Sequence, residues 1–214
     1  MLPAFLRPAF PDAGRLFVQL PVLRDLTATD PLRGVVLNAG CGEGSYCPWI
    51  ASFAGVTVIE NIDVDWREWF LAVHTDPRLR IRRGSLTALP YDGQTFDAVI
   101  CTEVIEHIPD DRAAVRELAR VLKPGGTLLA TVPLRPAPFD PNHARNDYSE
   151  AEFRELLNAA GFDITETRVC CHASDCMMPG AVCQPLGDGM GNPLPNGVGV
   201  CHVPPACTAV PNSG

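Results

Sequence analysis

No stretch of this 214-residue chain approaches the roughly 18 consecutive apolar side chains of a membrane-crossing helix, so a helical span is excluded. Positive charge is also scarce. The chain has 17 Lys and Arg against 25 Asp and Glu, a formal charge of -8. A field of that sign opposes nucleic acid and anionic membrane surfaces in general, though a local basic patch stays open. The opening "MLPAFLRPAFPDAG" is apolar, but Pro3, Pro8 and Pro11 interrupt it and it lacks the charged, apolar and small-residue order of a secretion signal. A cytoplasmic location is the expectation. No P-loop pattern accompanies the turn from Lys123 to Gly126.

The distribution of residue types divides the chain. From Cys171 to Gly214 there is no Lys, no Arg and no aromatic, and only Asp175 and Asp188 carry charge. Gly and Pro are dense there, which is the composition of loop-like or disordered chain. Cys170, Cys171, Cys176, Cys183, Cys201 and Cys207 crowd into the same end beside His172 and His202, yet no C-x-x-C pair occurs. Neither a zinc site nor a disulfide framework is indicated by that spacing. The reading is a helical or loop-like cap over residues 1–30, a globular domain over 31–170 and a Cys/Gly/Pro-rich tail over 171–214.

Within the domain, short apolar runs alternate with amphipathic ones. "VVLNAG", "GVTVIENID", "LRIRRGS", "FDAVICTE" and "GTLLATVP" read as strands, with "FDITETRVC" as a sixth. Helices are expected at "YCPWIASF", "WREWFLAVH", "DDRAAVRELARVL" and "SEAEFRELLNAAGF". Asp110 or Asp111 caps the third of these, "KPGG" stops it, and Ser149 with Glu152 makes a capping box on the fourth. Parallel strands need crossover helices, so this rhythm predicts an α/β, Rossmann-like, doubly wound sheet of six or seven mostly parallel strands. Ligands on such sheets sit at the carboxyl ends of the strands. Tyr46, Trp49, Trp66, Trp69 and Phe70 are read as packing residues, and Arg112, Arg116 and Arg120 as a solvated helix face.

One such end is unusual: Gly40, Gly42 and Gly44 follow the first strand in a G-x-G-x-G pattern. A nicotinamide fingerprint would want a glycine where Ser45 stands. About 20 residues on, the second strand ends at Asp63, where a carboxylate can accept both hydrogen bonds of a ribose diol. A nucleoside-bearing cofactor fits this pair, with a plain tight turn as the alternative.

Five blocks now stand in order: "LNAGCGEGSY", "NIDVD", "LPYDGQTFDAVICTEVIEHIPD", "ELARVLKPGGTLLATVP" and "YSEAEFRELLNAAGF". Through them the stretch from Val35 to Phe162 resembles the class I S-adenosylmethionine-dependent methyltransferases of the type 11 kind, nearest to ubiquinone-pathway O-methyltransferases. The resemblance implies S-adenosylmethionine as cofactor, its amino-acid part at the glycine loop, its ribose on Asp63 and its adenine beyond the third strand. Carried over residue by residue, the cofactor contacts would be Asn38, Ala39, Gly40, Cys41, Gly42, Gly44, Asp63, Val64, Ser85, Leu86 and Thr102. Two positions depart from the family's pattern. Asn38 replaces its usual acid and holds no charge, and Ser85 replaces an adenine-binding Asp.

The chemistry would lie after the fourth strand. In a helical "TEVIEH", Glu103, Glu106 and His107 share one face. The resemblance implies His107, with His143 from "FDPNHARNDYS", as the catalytic pair. In related families Glu103, Glu106, His107 and His143 would also be the ligands of a divalent metal. The favoured reading is metal-free transfer of a methyl group to a small-molecule acceptor, with oxygen ahead of nitrogen or carbon. RNA ribose methylation and a non-catalytic binding module are the alternatives.

Overall fold

Strand β1 (Gly34–Ala39) buries its last four residues completely enough to occupy the middle of a sheet. In the computed structural model, which describes residues 13–65, 75–134, 140–146 and 148–167, it has parallel partners on both sides. One is β2 (Val56–Asp63), with β3 (Leu79–Arg83) beyond it; the other is β4 (Phe96–Thr102), with β5 (Leu122–Thr131) beyond that. The order β3-β2-β1-β4-β5 reverses direction between β1 and β4. At such a switch point the connections leave toward opposite faces, and a crevice opens at the carboxyl ends.

Side-chain alternation sends successive residues of each strand to different layers. Leu37, Val99, Cys101, Leu128 and Ala130 face α3 (Asp111–Val121) and α4 (Glu150–Ala159), packing with Val115, Leu118, Phe153 and Leu157. Val36, Ala98, Ile100 and Leu129 face α1 (Ala13–Leu26) and α2 (Cys47–Ala51), packing with Leu16, Leu23, Trp49 and Ile50. The described part of the N-terminal cap is therefore built into the second core layer. Asp110 caps α3 through the Ala113 N–H at 2.9 Å, and the expected box on α4 forms between Ser149 and Glu152.

The sheet and its flanking helices differ from the sequence expectation in two places. Residues 162–167 follow α4 without strand pairing, so the described part of the sixth strand is absent; the segment's last residues lie outside the described ones. Helix α3 runs straight into β5, and "KPGG" bulges out within that strand instead of separating the two elements. The pairing jumps from Phe96↔Leu122 to Ala98↔Thr127, which leaves Lys123 to Gly126 looped from the ladder. The helix expected at "WREWFLAVH" and the cysteine-rich tail lie outside the described residues.

Asp97 pins the amino-terminal end of the sheet. Its carboxylate accepts from the Val35 N–H at 2.8 Å and from Lys123 Nζ at 2.8 Å, joining the starts of β1 and β5 to β4. Gly34 leaves it room, because a Cβ there would lie 2.1 Å from Asp97 Oδ2. Lys123 and the Val35 amide hold the Asp97 carboxyl below its usual range. A depressed folded-state pKa gives stability that is present above the unfolded pKa and lost as pH falls through the folded one. Asp97→Asn should therefore cost about 1 kcal/mol at neutral pH, since Lys123 is 40% exposed and screened, and should lose less stability than the wild type on acidification. Urea unfolding of both proteins across the carboxylate range reads the difference.

Candidate functional site

The turn after β1 is stitched to the end of β2. Gly40 N–H and Cys41 N–H both donate to Ile62 O, at 2.8 and 3.0 Å, and Gly44 N–H donates to Cys41 O at 2.7 Å. Asp63 completes the attachment: Oδ2 accepts from Gly42 N–H at 2.8 Å and Oδ1 from Asp65 N–H at 2.9 Å. These amides are engaged within the protein. What the glycines offer is room. Gly40, at φ +70, would place a Cβ 2.4 Å from Val104 Cγ2, whereas Gly42, at φ +49, has nothing within 4 Å of that position. The first lets the β4 turn close over the loop; the second leaves open space beside backbone.

That space belongs to a cleft of about 780 Å³, within the range of small-ligand sites. Its wall runs from Ser85 and Leu86 past Asp63 and Val64, across Gly40, Cys41 and Gly42, to Thr102 and His107. Eight of the residues assigned to a cofactor from sequence thus lie on one surface. Asn38, Ala39 and Gly44 do not line it. Asn38 is 2% exposed and turned into the layer under α2, where Nδ2 donates to Asn61 Oδ1 at 2.9 Å, so it is a structural amide. Ala39 belongs to the opposite core layer, and Gly44 is buried in the turn. Ser85 Oγ makes a short local pair with Thr87 Oγ1 at 2.8 Å, and Thr87 joins the wall.

Sequence reasoning missed Pro109 and Asp110, which close the far rim as the entry to α3. Their signal was the cap itself, because helix starts after carboxyl strand ends line such clefts. Cys41 lines the cleft too, but burial first and Asp63 second push its thiol up. Burial likewise pushes Cys47 up to about 12. Both are protonated at neutral pH and unsuited to nucleophilic work.

The segment after β4 is not the expected helix. Glu103 takes φ +55, and only Ile105–His107 form a single 3-10 turn. Glu103 is swung away from the other two: its Oε1 accepts from Thr131 Oγ1 at 2.9 Å. Glu106 is fully buried, and His107 Nε2 lies 3.9 Å from its Oε1. His143, from the loop before α4, brings its ring centroid to 4.6 Å from that of His107, edge to face. Side-chain donors of Glu106, His107 and His143 lie within 4.8 Å of one another, a grouping able to hold a cation; Glu103 is not part of it. His107 Nδ1 is 3.0 Å from Asn142 O. A carbonyl only accepts, so the neutral ring carries its proton on Nδ1 and leaves Nε2 as the basic atom.

A parallel sheet with a glycine turn and a strand-end carboxylate at its switch point defines a Rossmann-like domain. Residues 37–130 match the family described as methyltransferase domain. A probable S-adenosylmethionine-dependent methyltransferase of Mycolicibacterium smegmatis is 37% identical over 139 residues, covering 62% of this chain and 53% of its own length. The ubiquinone biosynthesis O-methyltransferase of Methylocella silvestris is 36% identical over 113 residues, 50% of this chain and 43% of that protein. A chain in the complex between the Haloferax volcanii Trm112 methyltransferase activator and its methyltransferase shares the fold, with TM-score 0.61 at 23% identity over 67% of this chain and 69% of that one. In sequence and fold the chain is similar to class I S-adenosylmethionine-dependent methyltransferases, and it spans about half the length of the curated relatives it matches. No helix among the described residues is long and apolar enough to cross a membrane.

Gly40→Ala should destabilise the fold by about 2 kcal/mol or more, through the positive φ and the collision with Val104. Adding Val104→Ala should recover part of that loss, because the Cγ atoms are the nearest ones struck. Thermal unfolding of the two single variants and the double variant measures the coupling.

Proposed function

We propose that the protein transfers a methyl group from S-adenosylmethionine to a hydroxyl of a small-molecule acceptor. The observation that carries this reading is one continuous cleft holding Asp63 and the open Gly42 toward one end and a tautomer-defined His107 toward the other. Asp63, already oriented by two backbone N–H groups, keeps acceptor capacity for a ribose diol. Ser85 and Leu86 would flank the base, while Gly42 and Thr102 would border the amino-acid part.

When bound, S-adenosylmethionine supplies a methyl already activated by positive sulfur. The chain's task is then alignment, which can contribute roughly 7 to 11 kcal/mol, and removal of the acceptor's proton. An amine acceptor that is already neutral needs no base, whereas a phenol with a pKa near 10 gains from one. His107 Nε2 is placed to take that proton. Nδ1–H is fixed on Asn142 O, which leaves Nε2 to accept it. His143 packs against the ring and limits its rotation. The name of the Methylocella silvestris relative supports oxygen as the methylated atom. The charge of -8 weighs against RNA as the acceptor.

The close grouping of Glu106, His107 and His143 supports a second reading, in which these three hold a divalent cation that lowers the acceptor's pKa. Activity that survives dialysis against a chelator excludes it; activity lost and then restored by Mg²⁺, Mn²⁺ or Zn²⁺ establishes it.

Asp63→Ala should weaken S-adenosylmethionine binding by about 1 to 3 kcal/mol in titration calorimetry, through lost charged hydrogen bonds and a released Gly42. Unchanged affinity would remove Asp63 from the site. No heat from the wild type at any attainable concentration would remove the cofactor itself. For the base, His107→Gln should slow S-adenosylhomocysteine formation with a responsive phenolic acceptor about 100-fold or more while leaving cofactor affinity unchanged. Equal rates for wild type and variant would rule out proton removal by His107.

A further inference from the structure

Asn38 is turned into the core, so the end of β1 brings no charge to the cleft, yet the bound ligand would bring a cationic α-ammonium group to the glycine loop. A different carboxylate is built there. Gln19 on α1 is 5% exposed, Thr131 at the end of β5 is 0% exposed and Tyr46 is 8% exposed, and the three are joined in one chain of hydrogen bonds. Tyr46 O–H donates to Gln19 Oε1, Gln19 Nε2 to Thr131 Oγ1 at 3.4 Å, and Thr131 O–H to Glu103 Oε1 at 2.9 Å. Every donor points the same way. Aligned dipoles of that kind stabilise a negative charge at the end of the chain, and the end is the Glu103 carboxylate.

Glu103 is also held in a backbone conformation that a glutamate rarely adopts, φ +55. Its own N–H donates to Thr131 O at 3.0 Å and lies 3.1 Å from Thr131 Oγ1, which maintains the bend. Such strain persists only where surrounding bonds enforce it, and it concentrates at binding sites. Location agrees. Glu103 lines the cleft, and its neighbour Val104 fills the space over Gly40. Because β4 and β2 flank β1 on opposite sides, Glu103 and Asp63 stand on opposite sides of the glycine turn.

The other cleft carboxylates are committed. Asp63 holds the Gly42 and Asp65 N–H groups and is assigned above to the ribose, and Asp110 caps α3. Among the described residues, Oε2 of Glu103 has no hydrogen-bond partner, and the side chain is only partly covered. We propose that Glu103 receives the α-ammonium group of the S-adenosyl ligand, supplying from β4 the charge that Asn38 lacks, with Gln19 and Thr131 as its positioning residues. This rests on the S-adenosylmethionine reading above. It gives Glu103 a role other than metal ligation.

Two ligands separate the claim from its premise. S-adenosylhomocysteine carries the amino-acid group, whereas 5′-methylthioadenosine keeps the nucleoside and thioether but lacks it. Calorimetric titration is run on wild type and Glu103→Gln with a chelator present, so a metal contributes nothing. The glutamine keeps an oxygen for the Thr131 hydroxyl. Glu103→Gln should lower S-adenosylhomocysteine affinity about tenfold or more and leave 5′-methylthioadenosine affinity within about twofold. Gln19→Leu should give the same selectivity with a smaller loss. Undiminished S-adenosylhomocysteine binding by Glu103→Gln, or an equal loss for both ligands, overturns the assignment. A wild type that binds neither ligand overturns the cofactor reading on which it depends.

Discussion

Two side chains from neighbouring strands grip one turn, and the site depends on that grip. Val104, just past β4, fills the volume that a Cβ at Gly40 would need, while Asp63, at the end of β2, holds the Gly42 amide. Neither contact is strong alone: one is dispersion, the other a single charged hydrogen bond. Together they fix the three strand ends relative to one another. The backbone is then preorganised with a bare face beside Gly42, and ordering it on ligand binding would cost little further entropy.

The cleft that results has its charges sorted by strand. The Asp63 carboxylate lies on the β2 side and that of Glu103 on the β4 side, with the glycine turn between them. Its lining thiol, Cys41, is kept out of the chemistry by burial, which raises the thiols of Cys47 and Cys101 as well. The Asn38, Asn61 and Cys47 side chains form a polar cluster under α2, where Asn61 Nδ2 also donates to Arg80 O at 2.9 Å. An uncharged amide suits that place: satisfied by neighbours, it avoids the cost of burying an unpaired carboxylate. The uncharged side chain at position 38 is thus explained by its packing role.

Much of the fold was legible because its signals are local. The strand rhythm, the Asp110 cap, the Ser149–Glu152 box and the Gly40–Gly44 turn each depend on residues within a few positions of one another. Reading failed where a long-range partner outweighed local preference. Helical spacing placed Glu103 beside Glu106 and His107, but the Glu103 N–H, shared between Thr131 O and Oγ1, outcompetes one more helical turn. Residues 162–167 have the composition of a strand but make no pairing among the described residues, and pairing is a property of the neighbour as much as of the segment.

Sequence by itself determined the class of sheet, the turn at which a nucleoside can sit and the two strand ends that border it, because backbone sterics and side-chain periodicity act over short range. Only tertiary structure decided which groups meet there. It set His143 against His107, turned Asn38 into the core and joined Gln19 of α1 to Thr131 and Glu103. Those contacts span 112 positions at the widest, and their geometry follows from how the sheet's two layers close, which no neighbouring residues encode.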